Sequence, residues 1–443
     1  MANYTTPGVY VEEISVFPPS VAQVETAIPA FIGYTEKVPS DSSTKRIVSL
    51  KEFEQYFGKA KAEAITLTVT ADANGVRSVN PGVVAPTYFL YYQMQMYFAN
   101  GGGPCYIVSV GANFPAKSTL NITNALASVR GLDEPTLLVL ADVTASGHND
   151  LNVAALTQAG ELMDRFAILD LPGTIAEFRN ATGTSYLSYG AAYHPKIKTS
   201  LVPYYTDSTV TISYAGNAFD TMTLAAVLAG DEALYRELKG KLDTALEQQP
   251  LTLAPSGAVA GVYAKVDASR GVWKAPANVS LNLVKGPAEN ITDEAQGLMN
   301  VDPTTGKSIN AIRSFYGKGT LVWGARTLAG NDNEWRYVSV RRFYNMVEES
   351  VKKASGAFVF EPNSANTWVK VRAMIENFLT LQWRAGALAG AKAEDAFFVR
   401  VGLGQTMSAQ DILEGRMIVE IGMAAVRPAE FIILRFSHMM QQS

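Results

Sequence analysis

An α/β region followed by an α+β region, with an extended strand arm at each end, is the fold class that the sequence predicts. Three observations carry it. Between Cys105 and Ala192, continuous apolar runs alternate with helical patterns, as in a largely parallel sheet whose faces are both covered. After Asn331 the pattern changes to two amphipathic helices followed by three short strand-like runs. Extended segments then lie near both ends of the chain, Thr6–Glu13 and Glu430–Met439. A chain of 443 residues is too long for one ordinary core, so two or three domains are expected.

The elements follow in order. Ile28–Tyr34 (IPAFIGY) reads as a strand, and Ser49–Phe57 as a short helix capped by Ser49. Residues Ala64–Ala85 are polar and punctuated by Gly and Asn, which suggests a hairpin-like excursion. Thr87–Asn100 is long, aromatic and Met-rich; a cofactor box is conceivable, but core packing of a helix explains it more simply. The glycines Gly101–Gly103 end that helix, and Cys105–Val110 follows as a strand. A helix around Asn121–Arg130, the strand Thr136–Ala141, a helix near Leu151–Met163 and the strands Arg165–Leu171 and Tyr186–Ala192 continue the alternation. Residues Ser200–Gln249 differ in texture, with a hairpin-like VTISYAGNAFDTMTL and then a charged helix, Asp231–Gln248.

Trp335–Ala354 places Val340, Phe343, Val347, Val351 and Ala354 on one stripe, with Glu348/Lys352 and Glu349/Lys353 as i,i+4 pairs. Asn363–Thr367 supplies caps for a second helix, with Trp368, Val371, Ile375, Phe378 and Leu379 inward and glycines at 386 and 390 to stop it. The strand-like runs after it are Ala396–Val401, Arg416–Met423 and Glu430–Met439. The last is apolar on both faces, Ile432, Leu434 and Phe436 on one and Phe431 and Ile433 on the other. Such a strand belongs in the middle of a sheet, yet only a few polar residues follow it. Two sticky arms on one chain are an aggregation hazard unless something pairs with them. Strand exchange with identical neighbours would satisfy both.

Composition narrows the function. The chain is 48% hydrophobic and 18% charged, with a net charge of −4 and no basic block. That is the profile of a globular protein, and it argues against nucleic acid as a direct partner. The first residues hold neither a basic nor an apolar leader region, and no apolar run reaches the roughly 18–20 residues that span a bilayer, so neither export by signal nor membrane insertion is expected. The single cysteine, Cys105, sits in an apolar strand-like context and reads as a small buried residue.

Catalytic and ligand motifs are sparse. Gly306-Lys307-Ser308 ends a phosphate-loop pattern, but the earlier glycine is replaced by Val301, and Pro303 sits where backbone amides would cradle phosphate. Histidines 148, 194 and 438 have no ligand spacing to one another or to Cys105. Asp142 and Asp170 follow strands, where α/β enzymes keep ligand groups. Without a glycine fingerprint, a nucleophile elbow or a neighbouring histidine, both read as turn or cap residues. No cofactor, metal or catalytic residue is expected. Arg313, Arg326, Arg336, Arg341 and Arg342 cluster among aromatics. They suit pairing within a domain, with stacking on Trp323, Trp335 and Phe343. Alternatively, Arg326, Arg336, Arg341 and Arg342 form salt bridges between subunits of a lattice.

A family resemblance joins these features. Thr6-Pro-Gly-Val-Tyr-Val-Glu-Glu13, Asn100-Gly-Gly-Gly-Pro-Cys105-Tyr106, Trp323-Gly-Ala-Arg-Thr327, Glu334-Trp-Arg-Tyr337, Arg341-Arg342, Phe358-Val-Phe-Glu-Pro-Asn363, Trp368 and Arg427-Pro-Ala-Glu-Phe431 occur in that order. Together they resemble the sheath protein of contractile tails: phage tails, R-type bacteriocins and extracellular contractile injection systems. The resemblance spans nearly the whole chain and is densest after Gly257. It implies a structural protein, not an enzyme, that forms six-fold helical assemblies around an inner tube and meets baseplate and terminal cap proteins. An extended, metastable sheath would contract on a baseplate trigger and drive the tube through the target envelope.

The resemblance also implies a division of labour. Residues 1–20 would be an N-terminal arm, with Val9, Tyr10, Val11 and Glu12 at the subunit interface. Residues 21–330 would be the outer α/β domain, carrying an exposed insertion at about 200–250. Residues 331–428 would be an inner α+β domain facing the tube, with Lys392, Glu394, Asp395, Asp411 and Glu414 as candidate tube contacts. Residues 429–443 would be a donor strand, with Phe431, Ile432, Ile433, Leu434, Arg435 and Phe436 at the interface. Assembly in the bacterial cytoplasm, within a phage tail-like particle open to release, follows. The modest insertion and the run Trp273-Lys-Ala-Pro-Ala-Asn278 favour an injection-system or bacteriocin-like sheath over a phage tail sheath. An α/β enzyme with a poorly marked site remains the alternative of a different class, to be told apart by a concave pocket with convergent polar groups.

Overall fold

Apolar strands buried on both faces are where the architecture starts. The structure, a computed structural model, describes residues 20–142 and 147–435. Pro29–Gly33, Leu137–Leu140 and Phe166–Asp170 are buried at every position. Such strands need cover above and below, and side-chain alternation sends their residues to two cores. Phe31, Ile107, Val139, Ile168 and Tyr193 go to one face, packing with Tyr92, Met96, Val259 and Tyr263. Ala30, Ile32, Leu138, Leu140 and Leu169 go to the other, packing with Ile122, Leu126, Leu151 and Leu156.

The sheet has nine strands, in the order Val279–Ser280, Gly319–Val322, Ile309–Phe315, Gly190–His194, Phe166–Asp170, Leu137–Leu140, Pro29–Gly33, Cys105–Ser109, Thr44–Ile47. The run from Ile309–Phe315 to Cys105–Ser109 is parallel throughout. Antiparallel strands close both edges. Helices Leu90–Ala99 and Ser256–Arg270 cover one face, and Thr119–Val129 and His148–Leu162 the other. The Met- and aromatic-rich helix is therefore core packing. Ser49 caps its helix as expected, its hydroxyl accepting from the Glu52 amide. The expected strand Tyr186–Ala192 begins late: Leu187–Tyr189 is a single helical turn, and the strand runs Gly190–His194.

The hairpin-like stretch expected in residues 200–249 is present in outline, and its first strand also pairs outside it. Val210–Ser213 pairs in parallel with Ile65–Ala71, which pairs antiparallel with Arg77–Asn80. The halves of the hairpin-like stretch meet through the antiparallel bridge Thr211 to Thr223, with the Ile212 amide donating to the Met222 carbonyl and the Thr221 amide to the Ile212 carbonyl, both at 2.8 Å. The excursion at 64–85 and the insertion after Ser200 thus build one small subdomain. The reason is burial: Ile65, Leu67 and Val69 alternate inward, and helix Glu232–Gln248 lays the stripe Leu234, Leu238, Leu242 and Leu246 on them. Neither half buries its apolar face alone.

The chain folds as two units. One holds residues 25–346 and 427–435 of the described chain. The other holds residues 20–24 and 347–426. In the second, helix Ala365–Arg384 buries Val371, Met374, Ile375, Phe378 and Leu379. Trp368 is half-buried, and its indole N–H donates to Asn363 Oδ1 at 2.6 Å. Gly386, at φ 87°, follows the helix end, and the Ala387 amide returns to the Gln382 carbonyl, the closure that only a left-handed residue allows cheaply. Glu349 receives both Lys352 at 3.1 Å and Lys353 at 3.5 Å. Phe397–Arg400 pairs antiparallel with Glu420–Met423, so the second strand starts four residues later than expected and no third strand joins the pair among the described residues.

Candidate assembly surface

Residues 431–435 carry no strand within this chain, contrary to the strand expected from Glu430 onward. A strand exists only with a partner ladder, and none is offered among the described residues. Phe431, Ile432, Ile433 and Leu434 are 69–80% exposed, so both faces of the expected strand are bare. Phe436 lies outside the described residues, as do Val9, Tyr10, Val11 and Glu12.

The residues just before this bare run are held firmly. The Glu430 carboxylate accepts from Arg326 Nε at 2.9 Å and Nη2 at 2.7 Å, from Asn300 Nδ2 at 2.7 Å and from the Tyr337 hydroxyl at 3.1 Å. Burial would raise the Glu430 pKa, but the hydrogen bonds from Arg326 and Asn300 and the guanidinium charge lower it on balance. Arg326 is itself oriented by Asn310, whose side chain accepts from the Arg326 amide and donates to its carbonyl, both at 2.8 Å. The next residue, Thr327, donates through Oγ1 to the Trp335 carbonyl at 2.8 Å. Arg427 Nη1 donates to the Asn333 carbonyl at 2.6 Å.

The other arginines are also engaged within the chain. Arg342, buried in the opening turns of helix Val338–Ser355, pairs with Asp267 at 2.5 Å and 3.1 Å and donates to the Thr26 carbonyl at 2.8 Å. Thr26 Oγ1 closes the ring by donating to Asp267 Oδ2 at 2.6 Å. The Arg342 guanidinium also lies 4.6 Å from the Tyr263 ring centroid. Arg341 stacks on Trp335 at 4.1 Å and Tyr189 at 4.8 Å, and its Nε donates to Asn345 Oδ1. Arg336 donates to the Gly330 carbonyl and to Asn333 Oδ1. Arg313 pairs with Asp293 and lies over Phe315. Of the expected stacking platforms, Trp335 takes an arginine, whereas Trp323 packs on Phe315 and Phe343 on Trp273. Arg326, Arg341 and Arg342 are buried, so these three do not form an exposed charged face on the isolated chain.

The candidate tube contacts divide. Lys392, Glu394 and Asp395 lie around the short helix Ala393–Ala396, exposed to solvent. Asp411 and Glu414 share Arg416, at 2.8 and 2.6 Å, and Asp411 closes a capping box with Ser408.

Asp142 and Asp170 do cap helices, but helices distant in sequence. Asp142 accepts from the amides of Tyr34 at 2.7 Å and Phe89 at 2.6 Å, with Lys117 Nζ at 3.7 Å. Asp170 accepts from the amide of Ser256 at 3.1 Å and its hydroxyl at 2.5 Å. Burial pushes the Asp170 pKa up to about 7 against those hydrogen bonds. Both carboxylates at the strand ends are thus committed to main-chain donors at the starts of helices Leu90–Ala99 and Ser256–Arg270. Lys307, from the phosphate-loop-like run, is buried and donates to the Arg179 carbonyl. Cys105 is buried, and burial pushes its thiol pKa up.

Sequence reasoning missed Glu430 and Asp267 as partners of the arginines. The signal for Glu430 was present: one carboxylate directly before an apolar run, downstream of an arginine-rich stretch. Asp267 gave none, because helical carboxylates are common.

Known proteins share this fold. Residues 330–438 match the model of the phage tail sheath C-terminal domain. The chain is 34% identical to a sheath protein of an extracellular contractile injection system, PVC, solved in the contracted state, covering 99% of this chain and 98% of that one with a TM-score of 0.67. It is likewise 34% identical to the helical sheath of the anti-feeding prophage in the contracted state, covering 98% and 99%, with a TM-score of 0.70. The tail sheath protein of Burkholderia phage BcepMu is 31% identical over 156 residues, 34% of this chain; the match spans 32% of that relative's length.

Proposed function

This chain belongs to the contractile tail sheath family, and from that membership we propose that it forms the sheath around the inner tube of a contractile injection system. The observation that carries the mechanism is the bare apolar run after Glu430. A segment exposed on both faces gains its backbone partners and its apolar cover together by adding to another copy's sheet. The pair Phe397–Arg400 and Glu420–Met423 is the receiving sheet in this reading, and the N-terminal arm supplies a further strand. Main-chain hydrogen bonds then hold a mesh while the units of each subunit reorient as bodies. The subunits stack with six-fold symmetry, the stroke draws on energy stored at assembly and is released at the baseplate, and Lys392, Glu394 and Asp395 face the tube. The commitment of Asp142, Asp170 and Lys307 to internal hydrogen bonds supports a structural role over catalysis.

Near-complete coverage of two injection-system sheaths, against about a third of the chain for the phage relative, favours the injection-system reading. The test is negative-stain electron microscopy of the chain co-expressed with its inner tube protein, intact and lacking Phe431–Ser443. Ridged cylinders from the intact chain and none from the truncated one are expected. Cylinders of equal yield from both would remove the strand from the mechanism.

A further inference from the structure

One buried arginine pair stands out by its position relative to the C-terminal end of the described chain. Arg326 holds Glu430, the last residue before the bare C-terminal run. We infer that Arg326 is a positioning residue that anchors the root of the C-terminal arm, so that force borne by an exchanged strand enters the sheet-bearing unit of its own subunit. The inference rests on the strand-exchange reading above.

The chemistry suits anchoring. A strand donated to a neighbour resists pulling only if its root stays fixed; otherwise the load peels the arm from its own subunit. Charge-assisted, forked Arg–carboxylate bonds are strong and directional, and burial makes loss of one partner costly because the other charge is left behind. At the C-terminal root the change is abrupt: Glu430 accepts from three side chains, while Phe431 is 69% exposed.

The test compares Glu430→Gln and the charge swap Arg326→Glu/Glu430→Arg with the intact chain and the Phe431–Ser443 deletion. Thermal unfolding identifies the folded variants. Chymotrypsin cleavage after Phe431 in the monomer reads the root, and cylinder yield with the tube protein reads assembly. Glu430→Gln should accelerate cleavage about tenfold, since cleavage tracks the opened population. It should lower cylinder yield to a similar degree while the melting temperature stays close to that of the intact chain. The swap should restore part of both. Native cleavage and native yield in Glu430→Gln would overturn the anchor while leaving strand exchange intact. Normal cylinders from the deletion would overturn both.

Discussion

At the scale of single residues, two buried titratable groups pull stability in opposite directions with pH. Burial raises the Asp170 pKa from 3.8 to about 7. The folded state then holds the proton more tightly than the unfolded one, so this contribution is fully present below about pH 4 and is lost as pH rises through 7. His148 is buried, and neither ring nitrogen has a hydrogen-bond partner among the described residues. Burial, aided by the Lys117 charge, lowers its pKa from 6.5 to about 4. Its contribution is present above about pH 6.5 and is lost as pH falls through 4. Asp170→Asn should therefore leave a protein whose stability falls on acidification, and His148→Phe one whose stability falls as pH rises from about 5 to 7.5. Each slope should amount to about 2–3 kcal/mol across that window, read from urea midpoints. Identical pH profiles for both variants and the intact chain would contradict the assignment.

At the scale of elements, most of the main sheet was legible, and the reason is periodicity. Runs such as LLVL at 137–140 and FAILD at 166–170 are too apolar for anything but central strands. The parts of the small subdomain were legible but their joining was not, because the parallel pairing of Val210–Ser213 with Ile65–Ala71 links segments far apart in the chain. The buried arginine pairs were half legible: the arginines stood out, their carboxylate partners did not. Helix packing supplies a prediction with a built-in control. A Cβ on Gly261 would lie 2.5 Å from the Tyr97 carbonyl oxygen, whereas one on Gly240 meets nothing within 4 Å. Gly261→Ala should destabilise by about 1–3 kcal/mol through overpacking. Gly240→Ala, in the exposed face of helix Glu232–Gln248, should stabilise by about 0.5–1 kcal/mol. Denaturant unfolding of both variants reads the two signs.

At the scale of the whole molecule, strand exchange as proposed would make assembly sensitive to defective subunits. Chains lacking Phe431–Ser443, mixed with intact chains at about one in ten, should shorten the cylinders, because each can receive a strand but cannot pass one on. Cylinder lengths in electron micrographs measure this, and an unchanged length distribution would show that the truncated chain is excluded or that donation is dispensable. In the proposed head-to-tail exchange, the bare run after Glu430 and the edge that receives it are different surfaces of each copy. Every stage of such growth would leave an unspent strand at one rim and an unfilled edge at the other, so strand exchange by itself sets no length, and a ruler would have to act from elsewhere.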